Sequence, residues 1–182
     1  DELKDRIKQG EDSYTEFKVV FSDKNKILKE IVSFANTDGG LLIFGVADDG
    51  TIKGIQDTDQ TMRGIDDLAY QRCEPPITIV QEMVQIDGVS IIIVNIPKGS
   101  QRPYRTSSGQ HYIRSSNRCR QASREELLRL FQASESIYYD ETTVHRAAFN
   151  DLDIGAFEVF LQQHMEIKAN ESEIKNYLKN LH

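Results

Sequence analysis

Cysteine is scarce: the 182 residues contain two, Cys73 and Cys119. Two thiols give no disulfide framework, and a reducing cytoplasm fits them. Long hydrophobic runs are missing. No stretch approaches the roughly 18 apolar residues a bilayer span needs, and no signal peptide is visible, so a membrane partner is not expected. Internal repeats and low-complexity tracts are lacking. The chain opens on Asp1 and not on methionine, as expected of a trimmed chain. An excess of positive charge is also lacking. There are 22 basic against 29 acidic residues, for a net charge of −7, which disfavours a non-specific polyanion binder. What remains is a polar-surfaced chain with 38% hydrophobic residues and a mean hydropathy of −0.50. Its length allows one good-sized domain plus an appendage.

The charge is unevenly placed. From Lys98 to Arg129 the basic residues are Lys98, Arg102, Arg105, Arg114, Arg118, Arg120, Arg124 and Arg129, against the acids Glu125 and Glu126. That segment carries +6 and leaves −13 for the rest. Arginine dominates, with Tyr104, His111 and Tyr112 interleaved, as expected of a phosphate-contacting surface. The competing reading is a solvated surface that neutralises the acidic remainder.

The most informative stretch runs from Ile31 to Gly54. Ile27, Leu28, Ile31, Val32 and Ala35 recur at helical spacing. Asn36, Thr37 and Asp38 then lead into Gly39-Gly40, where the helix stops and the chain reverses. Leu41 to Val46 reads as a central strand buried on both faces, Asp48-Asp49-Gly50 as a turn, and Thr51 to Gly54 as a returning strand. Upstream, Glu2 to Gln9 reads as a short helix, and Glu11 to Phe21 alternates as a strand. Phe17 and Val19 would face the core, with Glu16 and Lys18 on the opposite face as a solvated ion pair. Thr58 to Cys73 predicts a long helix ended by Pro75-Pro76. Ile77 to Ile86 and Val89 to Ile96 predict a hairpin around Asp87-Gly88. Pro103 to Arg105 and Gln110 to Arg114 read as short strands, and Ser123 opens a capping box for a helix to Phe131. The expected core includes Phe17, Ile31, Leu42, Ile43, Val46, Ile92 and Leu128. The fold class is therefore α+β: a mixed sheet of about six strands with helices packed on it, then a helical tail.

Four pieces in order carry a resemblance. They are Glu11-Asp12-Ser13-Tyr14-Thr15-Glu16-Phe17-Lys18, Ala35-Asn36-Thr37-Asp38-Gly39-Gly40, Phe44-Gly45-Val46-Ala47-Asp48-Asp49-Gly50, and Pro103-Tyr104-Arg105 with Tyr112-Ile113-Arg114-Ser115-Ser116. Over residues 1–132 the chain resembles the nucleic-acid-binding domain called AlbA_2, also found in the Schlafen proteins. The resemblance makes 133–182 a linker and the helical start of a following module cut short, with Ile137 to His145 extended and helices over Asp151 to His164 and Glu171 to Leu181.

Two chemistries follow from the resemblance. In Schlafen proteins with ribonuclease activity, two glutamates five apart and an aspartate after the central strand form an acidic cluster. Glu11, Glu16 and Asp48 match it, which implies Mg²⁺ or Mn²⁺ as the metal, with Lys18 stabilising charge on the phosphate. The other is a DNA-binding domain of a bacterial cytoplasmic transcriptional regulator. Here Arg102, Arg105, Arg114, Arg118 and Arg120 contact phosphates, and Tyr104 and Tyr112 stack on bases. The nucleic acid is DNA or RNA, and a homodimer is compatible with the chain. A protein-interaction or sensor module is the third reading, kept by the acidic net charge. A zinc site from Cys73, Cys119, His111 and His145 lacks ligand spacing, and the glycine turn at 37–40 lacks the lysine of a P-loop.

Overall fold

The alternation of Thr15-Glu16-Phe17-Lys18 makes a strand, β1 (Thr15–Lys18), which lies parallel to β2 (Gly40–Phe44). Parallel neighbours need a crossover, and helix α2 (Lys24–Asn36) supplies it. Asp23 caps this helix, its carboxylate accepting from the Lys26 N–H at 2.9 Å. The computed structural model describes residues 2–134, 151–164, 170 and 172–174, and the chain divides into two units, 1–139 and 140–182.

In the first unit, α1 (Glu2–Gln9) precedes β1, and α3 (Thr58–Gln71) follows the turn after β2. Then come β3 (Cys73–Glu74), β4 (Val80–Ile86), β5 (Val89–Ile96), β6 (Arg105–Thr106), β7 (Tyr112–Ser115), β8 (Arg118–Gln121) and α4 (Arg124–Ala133). The main sheet has the order β1-β2-β5-β4, mixed because β1 and β2 are parallel and the other pairs antiparallel. The remaining strands form two ribbons, β3-β6 and β7-β8. The expected mixed sheet is present, with four strands in one ladder and the basic segment folded apart from it.

Period-two alternation divides the core. Leu42, Phe44, Ile92, Val94 and Ile96 face α2 and α3, while Phe17, Ile43, Val46 and Ile91 pack with Ile7 of α1 on the other side. The central strand is thus buried on both faces, as its unbroken apolar run requires. Gly39 has φ +77, and an added Cβ would stand 2.7 Å from the Ile96 carbonyl oxygen. Gly39 therefore serves close packing of the turn on the end of β5, and Gly40 gives room to the Phe34 ring, so the space at the pair is filled by the chain itself.

Three expectations shift. Val19 is 40% exposed because β1 and its pairing with β2 end at Lys18. Leu128 is 48% exposed, since α4 buries none of its residues fully and nothing among the described residues covers that side. The strand expected from Ile77 begins at Val80, because the Ile77 N–H is spent on the Ala69 carbonyl of α3. In the second unit, α5 (Ile154–His164) matches the helix expected there, with Leu161 buried. Residues 172–174 are helical, while the rest of the second tail helix and the extended segment Ile137 to His145 lie outside the described residues.

Candidate nucleic-acid interface

Arg114 is the pivot of the charged residues. β7 lays it against α2, and its side chain is 2% exposed. Its Nη1 donates to Glu30 Oε2 at 2.7 Å and its Nη2 to Glu16 Oε2 at 3.3 Å. Nη2 also reaches the Asp12 carbonyl at 3.0 Å, and Nε the Ser13 carbonyl at 3.1 Å. The guanidinium carbon stands 4.3 Å from the centre of the Phe34 ring. Every face of the fork is therefore used, and Arg114 holds the hairpin β7-β8 to β1 and α2 rather than facing solvent. Lys18 Nζ completes the group at 2.5 Å from Glu16 Oε1 and 2.9 Å from the Phe17 carbonyl oxygen. Burial, and then the neighbouring Glu16 charge, push the Glu30 carboxyl up to about 7, while Arg114, Lys18 and Lys26 draw it back down.

Of the three carboxylates of the ribonuclease expectation, Glu11 and Glu16 are each held by partners of their own. Glu11 Oε1 accepts the Phe17 N–H at 2.8 Å, Glu16 lies between Lys18 and Arg114, and Asp48 stands exposed on its turn. Among the described residues no three His, Cys, Asp or Glu side chains are grouped to hold a metal ion. Glu16, the most buried of the three, has both oxygens committed to cations, so this donor set as arranged does not fit Mg²⁺ or Mn²⁺. The thiols are no better suited to zinc. Burial pushes Cys73 up to about 12 and Cys119 to about 11, which keeps both protonated near neutrality.

Tyr104 and Tyr112 are 6% and 8% exposed, so their rings are core and not stacking platforms. Asn36, in the Ala-Asn-Thr piece, fixes both strands. Its Nδ2 donates to the carbonyls of Tyr104 and Tyr112 at 2.8 and 2.9 Å, and its Oδ1 accepts the Tyr104 N–H at 2.7 Å. The remaining arginines divide. Arg105 pairs with Glu74 at 2.8 Å, and Arg120 forks onto both oxygens of Glu126 at 2.9 and 2.7 Å. The Arg120 hydrogen bond, helped by the Ser123 N–H, holds the Glu126 carboxyl down at about 2. Arg102 is half-buried, with its Nε lacking a partner among the described residues. Arg118 is exposed and has no carboxylate partner among the described residues.

The fold adds cations that the sequence reading left as a helix surface. The first two turns of α2 expose Lys24, Lys26 and Lys29, while Ile31 to Asn36 are all buried. The Cys119 thiol donates to the Lys29 carbonyl oxygen at 3.4 Å, which places β8 and its outward Arg118 and Arg120 beside those lysines. On the other side Arg72 Nη2 reaches Asn25 Oδ1 at 3.4 Å, and the Ser107 N–H bonds the Arg72 carbonyl at 2.9 Å, bringing up the β6 turn with Arg105. These contacts bring Arg72 and the β6 turn to the Asn25 turn of α2, and β8 to its Lys29 turn. None of Lys24, Lys26, Lys29, Arg72 and Arg118 has a carboxylate partner among the described residues. Periodicity alone shows α2 as amphipathic; only the tertiary docking of β8 shows that its lysines join the arginines.

A mixed sheet crossed by one helix, with a ribbon clamped to that helix by a buried arginine and an asparagine, defines an α+β domain with a cationic helix–ribbon face. Residues 11–123 match the family described as Schlafen, AlbA_2, and the chain belongs to that family. Among solved structures it is similar to the DIP2311 protein from Corynebacterium diphtheriae, with 21% identity and a TM-score of 0.51. That match covers 85% of this chain and 30% of the other, and shows the fold alone. It is also similar to the N-terminal domain of a RecG-related protein from Nitrosomonas europaea, with 18% identity, a TM-score of 0.46, and coverage of 58% of this chain and 78% of that one. No curated protein matches the chain by sequence. No helix among the described residues is long and apolar enough to cross a membrane.

Proposed function

We propose that this chain is a nucleic-acid-binding module, and that the backbone phosphates run along the face formed by Lys24, Lys26, Lys29, Arg72 and Arg118. The observation that carries the reading is the set of exposed cations without carboxylate partners among the described residues, on α2, at the end of α3 and on β8, in a chain of net charge −7. Concentrating them on one face gives a local field that the net charge hides. Arg105 and Arg120, each held by one carboxylate, stand at the ends of that face and can exchange a glutamate for a phosphate. The finer assignment, a DNA-binding domain of a bacterial transcriptional regulator, rests on the family resemblance.

The test is a titration of a labelled duplex and a labelled single strand at several salt concentrations. Affinity should fall steeply with salt, and Lys29→Ala and Arg118→Ala should each weaken binding and reduce the slope of log K against log salt by about 0.9. Absence of binding to either probe at low salt removes the proposal. The metal-dependent ribonuclease reading has its own measurement. Cleavage of structured RNA that requires Mn²⁺ and disappears in Glu16→Ala, with the fold intact, would restore it.

A further inference from the structure

The two edges of the main sheet are finished differently. At β1 the outward groups are used: the Phe17 N–H goes to the Glu11 carboxylate at 2.8 Å, and the Thr15 carbonyl accepts the Asp12 N–H at 3.1 Å. At β4 the outward groups have no partner among the described residues. Which groups point outward follows from the ladder. The Ser90 carbonyl accepts the Ile55 N–H at 2.7 Å, on the side of β5 away from β4, so the even residues of β5 bond away from β4 and the odd ones toward it. The register Val80↔Asn95, Glu82↔Ile93, Val84↔Ile91 and Ile86↔Val89 then leaves the main-chain groups of Gln81, Met83 and Gln85 facing out.

Natural edges are blunted by charged side chains, above all lysine, by proline, by bulges or by a covering element. Among the described residues β4 has a single acid and no lysine, proline, bulge or covering element. It runs for 7 residues, Val-Gln-Glu-Met-Val-Gln-Ile, in unbroken register, with Glu82 its one charge and with Val80 64% and Met83 48% exposed. We propose that β4 pairs antiparallel with β4 of a second copy of this chain about a two-fold axis at Met83, joining two main sheets into one. The strand complements itself at that register. Met83 faces the partner's Met83, and Gln81 faces the partner's Gln85, so the outward groups of all three residues are satisfied at once. Glu82 falls opposite the partner's Val84, so the one charge of the strand never faces its own copy. Registers shifted by two residues leave one of the three outward residues without an outward-facing counterpart from this set. Because β1 is closed, assembly through this edge stops at two. The proposal is independent of nucleic-acid binding.

Sedimentation equilibrium over micromolar to hundreds of micromolar, with no nucleic acid, should show a species of twice 20.8 kDa. Met83→Pro deletes an N–H that β5 does not use, so it should leave the fold intact and shift the dimer to monomer by at least tenfold in concentration. Met83→Lys should do the same by charge. Amide exchange of the unmodified chain reads the edge directly: Gln81, Met83 and Gln85 should gain protection as concentration rises, while Glu82 and Val84 stay protected throughout. A chain that is monomeric at the highest concentration, an assembly larger than two, or a dimer in which those three amides exchange as freely as in the monomer would each overturn the proposal.

Discussion

Arg114 carries more of this molecule than any other charged residue. Its guanidinium answers Glu30 and shares Glu16 with Lys18, both carboxylates being buried, so removing it leaves Glu30 without its bonded cation and Glu16 with Lys18 alone. Arg114→Ala should lower stability by about 3–5 kcal/mol, as expected for one member of a buried ionic group, and a denaturant titration against the unmodified chain measures it. Loss of less than about 1 kcal/mol would mean that the network opens to water. Glu30 makes a second prediction. Its carboxyl, ordinarily near 4.5, is raised to about 7 by burial first and by Glu16 next. The fold therefore binds this proton more tightly than the unfolded chain does. Glu30's contribution to stability is complete below about 4.5 and is lost as pH climbs through about 7. Urea midpoints should fall across that window, and Glu30→Gln should flatten the fall. An equal slope in the variant would exclude Glu30 as its source. In sequence Arg114 is one arginine in a basic run, and Glu30 one acid on a lysine-rich helix. Nothing local distinguishes a phosphate contact from a buried clamp, because burial is decided by strands about a hundred residues away. The tyrosines mislead for the same reason: interleaving with arginine marks a surface in sequence, yet their backbones are claimed by Asn36.

At the scale of elements, the strongest periodicities were readable. The two-faced β2, the α2 stripe, the Asp87-Gly88 hairpin and the Ser123 capping box all stand where pattern and turn chemistry put them. The failures are at ends and edges. Val19 lies past the last rung of its ladder, and Leu128 sits on a helix with little over it, and neither fact is written in local spacing. Ile43 is the sharpest test of the central strand, because it is fully buried between β1, β5 and α1. Ile43→Ala should cost about 2–5 kcal/mol, read from the shift in urea midpoint. A cost near 0.5 kcal/mol, the size of an ordinary surface change, would place Ile43 outside the core. The candidate interface was half legible. Its arginines are visible as a block, but the α2 lysines lie far from them in sequence, and α2 meets their strands through contacts such as Cys119 with Lys29 and Asn25 with Arg72.

For the whole molecule, charge separation matters more than net charge. A face of cations without carboxylate partners among the described residues, on a chain of −7, predicts association that is fast at low salt and slows as screening shortens the reach of the field. Stopped-flow mixing with a labelled strand checks this: the on-rate should drop by about tenfold or more between 20 mM and 300 mM salt, with a smaller change in the off-rate. A flat on-rate would mean that the face does not steer.

The Arg114 clamp also spans time. Its guanidinium binds the Asp12 carbonyl across 102 positions and Glu16 across 98. During synthesis Glu16 and Glu30 leave the ribosome first, and at about 5–20 residues per second roughly 5–20 s pass before their cation is translated. Until then, closing β1 and α2 would bury Glu30 without its bonded cation and leave Glu16 with Lys18 alone, so the early part of the chain has reason to stay open. Ribosome-bound chains halted before Arg114 should accordingly be cut by protease in the β1–α2 region, and chains released after it should resist.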